Sequence, residues 1–239
     1  LAPQMELNTR VRHARYERDQ RAGTVRFAGL AAQPGGIPAS IETFGPASVL
    51  TRGTQLKIQD MENTFAQSDF AGKFNALGMR HEVIAGVDVA NEKKWVYAAR
   101  TVAQGGVVPA KPNTTVGTPS DGAWIDESKR VLRTSNQYEA NGAGLYVLDT
   151  FQFMPHWKGV LGLRYDYLKG EYDTFAAPAN AADPGTTLSG SYRMKVSEWS
   201  KRLGLLFQPT PLMSFHFSAA TSFNTSGDAY SLSAANVDI

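Results

Sequence analysis

Residues Gly144–Asp166 constrain this chain more than any other stretch, because they read as two extended segments joined by a tight turn at Met154-Pro155-His156. Side chains alternate faces along a strand. In the second segment Trp157, Leu161, Leu163, Tyr165 and Tyr167 therefore share one face, and Lys158, Arg164 and Asp166 share the other. Aromatic residues stand at both ends of the apolar stripe. Two water–hydrocarbon interfaces select that placement, whereas a soluble sandwich core requires only the alternation. The first segment is less tidy: Asp149 falls in step with Leu145, Val147, Phe151 and Phe153, so the pattern does not assign its faces.

The same period of two recurs along the chain. Met5, Leu7, Thr9 and Val11 alternate with Glu6, Asn8, Arg10 and Arg12, in a strand that turns polar towards Arg18. Extended sequence returns over 49–75, where Phe70, Gly72 and Phe74 oppose Asp69, Ala71 and Lys73. After Ala76-Leu77-Gly78, the residues His81, Val83, Ala85, Val87 and Val89 oppose Arg80, Glu82, Gly86 and Asp88, and the strand ends on Trp95 and Tyr97. Residues 131–153 lead into the hairpin. Over 191–208, Trp199, Leu203, Leu205 and Phe207 oppose Ser200, Arg202, Gly204 and Gln208. The last strand is expected over Met213–Phe223, with Phe215, Phe217 and Phe223 on one side and small polar residues on the other.

Connections between these segments alternate in length. Those at 28–47, 99–128 and 176–190 are long and rich in Gly, Pro and Ala, and those at 76–78, 154–156 and 209–211 are short. Antiparallel neighbours put every short turn on one edge and every long loop on the other. Transmembrane barrels are built this way, and a sandwich has no reason to sort its turns by length. The predicted fold is all-β: an antiparallel transmembrane β-barrel segment of about seven long strands. Several strands exceed the roughly 10 residues that cross a bilayer, so they are expected to project as a rigid rim. Phe74, Phe151, Phe153, Trp157, Phe207, Phe215 and Phe217 gather towards the short-turn edge, and Trp95, Tyr165, Tyr167 and Trp199 towards the loops. These are the expected aromatic girdles.

Other classes are excluded or unsupported. The net charge of +2 gives no basic field for nucleic acid. The absence of cysteine removes disulfides and thiolate metal sites. No apolar run reaches the roughly 18 residues of a membrane helix. His13, His81, His156 and His216 lie on separate segments without ligand spacing, and Ala85 stands where His81-Glu82 would need a second histidine for zinc. No phosphate loop or nucleophile elbow is present, so no catalysis, no metal site and no cofactor are expected. Leu1-Ala-Pro-Gln-Met lacks the features of a signal peptide, strand-like sequence begins almost at once, and Asn224–Ile239 reads as polar loop. The chain is therefore expected to be an internal portion of a longer protein.

Four pieces in order, His81-Glu-Val-Ile-Ala-Gly-Val-Asp88, Gly144-Leu-Tyr-Val-Leu-Asp149, Gly162-Leu-Arg-Tyr-Asp166 and Ser222-Phe-Asn-Thr-Ser-Gly227, make Thr9–Gly227 resemble the barrel of TonB-dependent outer-membrane receptors, particularly ferric-siderophore receptors. The resemblance implies that residues 1–239 are part of a 22-stranded barrel in a bacterial outer membrane, without the plug domain or the terminal strands. It also implies TonB-dependent uptake of a ferric siderophore of the catecholate type with no chemical bond made or broken, with iron carried only as the siderophore complex and with outer-membrane lipid and, through the plug, the TonB complex as partners. A ferric catecholate is anionic and aromatic, and it calls for cations and stacking rings near the long loops. Tyr97, Arg100, Lys111, Trp124, Lys129, Arg130, Arg133, Tyr172, Tyr192 and Arg193 are the candidates. A passive porin-like or adhesin-like barrel shares the girdle and loop evidence, and a soluble β-sheet binding module remains a further alternative.

Overall fold

The structure, a computed structural model, describes residues 4–120, 122 and 124–224. The expected polar loop over Asn224–Ile239 lies outside the described residues beyond Asn224, as does the Thr225-Ser-Gly227 end of the fourth sequence piece. Among the described residues the long strands are β1 (Met5–Phe27), β2 (Val49–Ala76), β3 (Met79–Ala99), β5 (Leu132–Met154), β6 (Trp157–Phe175), β7 (Leu188–Thr210) and the shorter β8 (Met213–Ala220). The two-residue β4 (Thr114–Thr115), within the long connection at 99–128, pairs with the start of β2. Each long strand pairs antiparallel with its neighbour, in the order β1-β2-β3-β5-β6-β7-β8. The result is a half-barrel.

Three tight turns close one edge. In the first, Leu77 and Gly78 both have positive φ, 51° and 75°. That geometry matches the twist of the flanking strands and suits Gly far better than Leu. The other two are Pro155-His156 and Pro211-Leu212, where proline presets φ and cannot extend the ladder. The expected last strand is shorter than its alternation suggests. The strand stops at Ala220; the Thr221 amide makes a last bond to the Lys201 carbonyl at 2.9 Å and its hydroxyl accepts from the Lys201 amide, after which no ladder pairs Ser222 or Phe223.

Register places side chains of matching phase in rows. Met5, Gly72, Val83, Asp149, Leu161 and Leu203 form one row, and Leu7, Phe70, Ala85, Val147 and Leu163 the next. This apolar face is open: Leu161, Leu203 and Phe217 are half exposed or more. The opposite face curls inward and is more crowded, with Tyr138 and Met194 nearly sealed at 5% and 4% exposure.

Asp149 keeps the apolar phase that its sequence position indicates. Its carboxylate lies 2.7 Å from Nδ1 of His81, whose ring stacks between Phe74 and Phe151. A polar pair thus satisfies one of its own carboxylate oxygens within an aromatic row.

Candidate functional site

The inward face carries two layers of chemistry. Halfway along the strands, Arg164 on β6 reaches across β5 to Asp88 on β3, with Nη1 and Nη2 at 2.8 and 3.2 Å from the two carboxylate oxygens. Its Nε also donates to Asp166 at 2.8 Å. Beside it the Tyr146 hydroxyl donates to Asp69, and Gln67 donates to both at 3.0 Å. Glycines make this possible. A Cβ on Gly144 would sit 2.2 Å from Arg164, and one on Gly86 would sit 2.6 Å from the Tyr146 hydroxyl. Both long side chains therefore lie flat on bare backbone, with the Arg164 guanidinium 5.3 Å from the Tyr146 ring. Asp69, Asp88 and Asp166 gather around Arg164, and the same row begins on Arg10 and ends on Glu198, so acids outnumber bases in this layer.

Nearer the long loops, one inward row contains Tyr16, Met61, Lys94, Tyr138, Tyr172 and Tyr192. Tyr172 and Tyr192 stand 6.4 Å apart, packed on a buried cluster of Tyr138, Ala140 and Met194. Arg12, from the same face of β1, donates to the Tyr16 hydroxyl, and Arg18 lies one step beyond. This row joins rings to cations on a concave wall. Tyr172 and Tyr192 are among the candidates read from the sequence, and Tyr16, Lys94 and Tyr138 are not. Alternation alone would have put the three on one face of their strands, but only the register brings them level.

The other expected ligand residues are dispersed. Arg100, Lys111 and Arg130 line a cavity of about 680 Å³ between the 100–131 loop and the upper end of β2. Each is engaged: Arg100 donates to the carbonyls of Gln104, Asp183 and Pro184 at 3.0, 2.9 and 2.6 Å. Lys111 pairs with Glu127 at 2.7 Å, and Arg130 reaches Asp19 at 3.4 Å. Lys129 pairs with Asp126, and Arg133 donates to the Phe175 carbonyl. Trp124 is 82% exposed on the loop. Tyr97 and Arg193 lie on the outward face, bonded to Asp60 and Glu171 respectively. The Lys111 ammonium and the Thr54 hydroxyl hold the Glu127 carboxyl below the usual carboxylate range. Backbone amides of Ala179 and Gly185 do the same for Asp183.

On the outward face, Phe74, Phe151, Phe153, Trp157, Phe207 and Phe215 join His81 in a run of ring contacts along the short-turn edge, as close as 4.3 Å between Trp157 and Phe207. Phe217 lies one row further in, opposite Leu205. Towards the loops, Tyr165 and Trp199 are 5.1 Å apart, with Tyr167 in the next row. Trp95 stands elsewhere: Asn91 and Lys93 separate it from the apolar Val89, and it faces Asp60 and Gln137 in the polar upper part of the sheet.

A family model described as TonB dependent receptor-like, beta-barrel matches residues 4–238. Among solved structures, the closed form of the ferric-catecholate import receptor Fiu from E. coli K12 is similar at 14% identity and a TM-score of 0.73, over 98% of this chain and 32% of that one. The siderophore receptor PiuA from Acinetobacter baumannii is similar at 18% identity and a TM-score of 0.65, over 92% and 30%. BauA, the ferric preacinetobactin receptor of the same organism, is similar at 16% identity and a TM-score of 0.59, over 91% and 28%. The chain thus spans about a third of the length of these structures. No curated protein matches it in sequence.

Proposed function

This chain belongs to the TonB-dependent receptor β-barrel family, and we propose that it forms part of the barrel wall of an outer-membrane receptor that takes up a ferric siderophore of the catecholate type. The observation that carries the reading is the inward row in which Tyr16, Tyr172 and Tyr192 stand level over the buried Tyr138, with Arg12 and Arg18 exposed on the same face of β1. Rings stack on catechol faces and cations answer the negative charge of the complex. The names of two neighbours point the same way, since one imports ferric catecholates and another binds ferric preacinetobactin.

In this reading the apolar outward face meets lipid. Along β6 from Trp157 to Tyr167 the stripe is roughly 33 Å long at 3.3 Å per residue. A strand tilted by about 40° makes that about 25 Å of height, the apolar band of an outer-membrane barrel. The sheet above Tyr167 stands clear of the bilayer, which puts the tyrosine row in the external vestibule. The acidic layer of Asp69, Asp88 and Asp166 sits lower, where a plug domain supplied by the rest of the receptor would occupy the lumen and meet TonB on its far side.

The test is uptake and binding of a ferric catecholate by the intact receptor carrying Tyr172→Ala and Tyr192→Ala together. Binding should weaken by about tenfold with unchanged amounts of folded barrel, since each ring contributes on the order of 0.5–1.5 kcal/mol. Unchanged binding and uptake would remove the tyrosine row from the pathway.

A further inference from the structure

The 99–128 connection folds back over the outside of the wall. Thr54, whose hydroxyl donates to Glu127 at 3.0 Å, and Asp19, which Arg130 reaches, have the strand phase of the outward Leu7 and Phe70 and the opposite phase to Tyr16. The cavity of about 680 Å³ under that loop therefore lies on the other side of the sheet from the tyrosine row. Its lining sets four cations, Arg52, Arg100, Lys111 and Arg130, against one acid, Glu127. Lys111 takes that acid at 2.7 Å. Arg52 gives its Nε to the Pro112 carbonyl at 2.9 Å, and Arg100 donates to carbonyls of both loops. A carbonyl accepts a bond without cancelling the charge, so the lining stays positive. Arg130 decides what the cavity calls for. Its side chain is only 7% exposed, its Nε donates to the Glu127 carbonyl at 2.6 Å, and its Nη2 reaches Asp19 at 3.4 Å, an acid that Arg21 already holds at 2.9 Å. Its Nη1 has no acceptor among the described residues. A buried charged donor without an acceptor is costly, and such groups are nearly always answered.

We infer that this cavity binds a small organic oxyanion, a carboxylate or a phosphate ester, with Nη1 of Arg130 as its central donor. A planar guanidinium suits either headgroup, because its N–H groups match the spacing of two oxygens on one centre. Lys111 and Arg52 add charge beside it. Away from the cations the lining is apolar, with Leu56, Val102, Val108 and Pro109, so the anion carries a hydrocarbon or aromatic body rather than being a bare inorganic ion. The volume falls within the range of about 300–1,000 Å³ that small-molecule sites occupy. Arg52 belongs to the wall and Lys111 and Arg130 to the connection and its end, so the bound anion bridges the two and holds the loop down. The site stands apart from the tyrosine row and does not depend on what that row binds.

The experiment titrates the intact receptor with benzoate, phenyl phosphate and the uncharged benzyl alcohol, measuring binding by calorimetry and the rate at which chymotrypsin cuts the 100–131 loop. Benzoate or phenyl phosphate should bind and slow the cutting, the tighter of the two naming the headgroup, and benzyl alcohol should do neither. Arg130→Lys, which keeps the charge and loses the fork, should weaken binding about tenfold. Because that change also touches the Asp19 and Glu127 ties, Ala110→Trp supplies a second test: it fills the cavity from the apolar side, leaves every ion pair in place, and should abolish binding without speeding the cutting of the free receptor. Lys195→Gln, elsewhere on the outward face, should bind as wild type does. Binding of neither anion, equal binding of benzyl alcohol, or undiminished binding by both the Arg130→Lys and Ala110→Trp variants would overturn the inference. None of these results bears on the tyrosine row, whose test is catecholate binding.

Discussion

Arg164 rests on the bare backbone of Gly144 and holds Asp88 through both terminal nitrogens, at 2.8 and 3.2 Å. Gly144→Ala should therefore act through Arg164, because its Cβ needs the space the guanidinium fills. We expect a loss of about 1–3 kcal/mol of stability, read from the urea midpoint of the folded barrel. Arg164→Met should cost a similar amount by leaving Asp88 and Asp166 facing each other without a cation; the pair is partly open to solvent, which keeps the figure below that of a sealed ion pair. A Gly144→Ala barrel as stable as wild type would contradict the close approach.

His81 and Asp149 form the other polar pair with a clear energetic signature. Removing one partner, as in His81→Leu, leaves the Asp149 carboxylate among aromatic rings and should cost about 2–4 kcal/mol. The double variant His81→Leu/Asp149→Leu should recover most of that loss, because an apolar pair suits the surrounding Phe74 and Phe151. A double-mutant cycle on unfolding free energy measures the coupling. Additive losses would show that the two residues act separately.

Leu77 occupies left-handed backbone at φ 51° with its side chain 89% exposed. Leu77→Asn or Leu77→Gly removes steric cost without removing a contact, and should raise stability by about 1 kcal/mol. Leu77→Val should lower it. Refolding yields and thermal midpoints of the three variants should rank in that order.

Acid should loosen the 100–131 loop before it touches the sheet. Lys111 and Thr54 hold the folded Glu127 carboxyl below its ordinary range, so the pairing stabilises the loop above the unfolded value, near 4.3, and that contribution is lost as pH falls through the lower folded value. Asp183, also held low, should loosen the 176–187 loop in the same direction. Limited proteolysis by an acid-active protease should cut these loops progressively below about pH 4, and Glu127→Gln should be cut equally at neutral and acid pH.

Strands, turns and the sorting of short from long connections were legible in the sequence because each depends on a local signal: alternation, Gly and Pro punctuation, or an apolar stripe ended by aromatics. What was not legible depends on register. Asp149 confused its strand only because its partner, His81, is remote in sequence and reaches it across β3 and β5. Tyr16, Tyr138 and Tyr172 lie on three separate strands, and nothing within any one of them announces a shared level. Trp95 looked like a girdle residue from its position near a strand end, yet β3 runs well beyond the apolar stripe before reaching it. The cationic loop candidates were correctly read as lying at the long-loop edge, but sequence carries no sign that carbonyls and carboxylates would occupy them.

Arg100 ties the 100–131 loop to the 176–187 loop by donating to the carbonyls of Asp183 and Pro184 rather than to any side chain. Main-chain oxygen is the one chemical group that nearly every residue supplies alike. The tie therefore tolerates substitution along most of the second loop, provided its backbone path is kept by Pro184 and by Gly185 at φ 71°. The second loop can thus drift in composition while its shape stays the same.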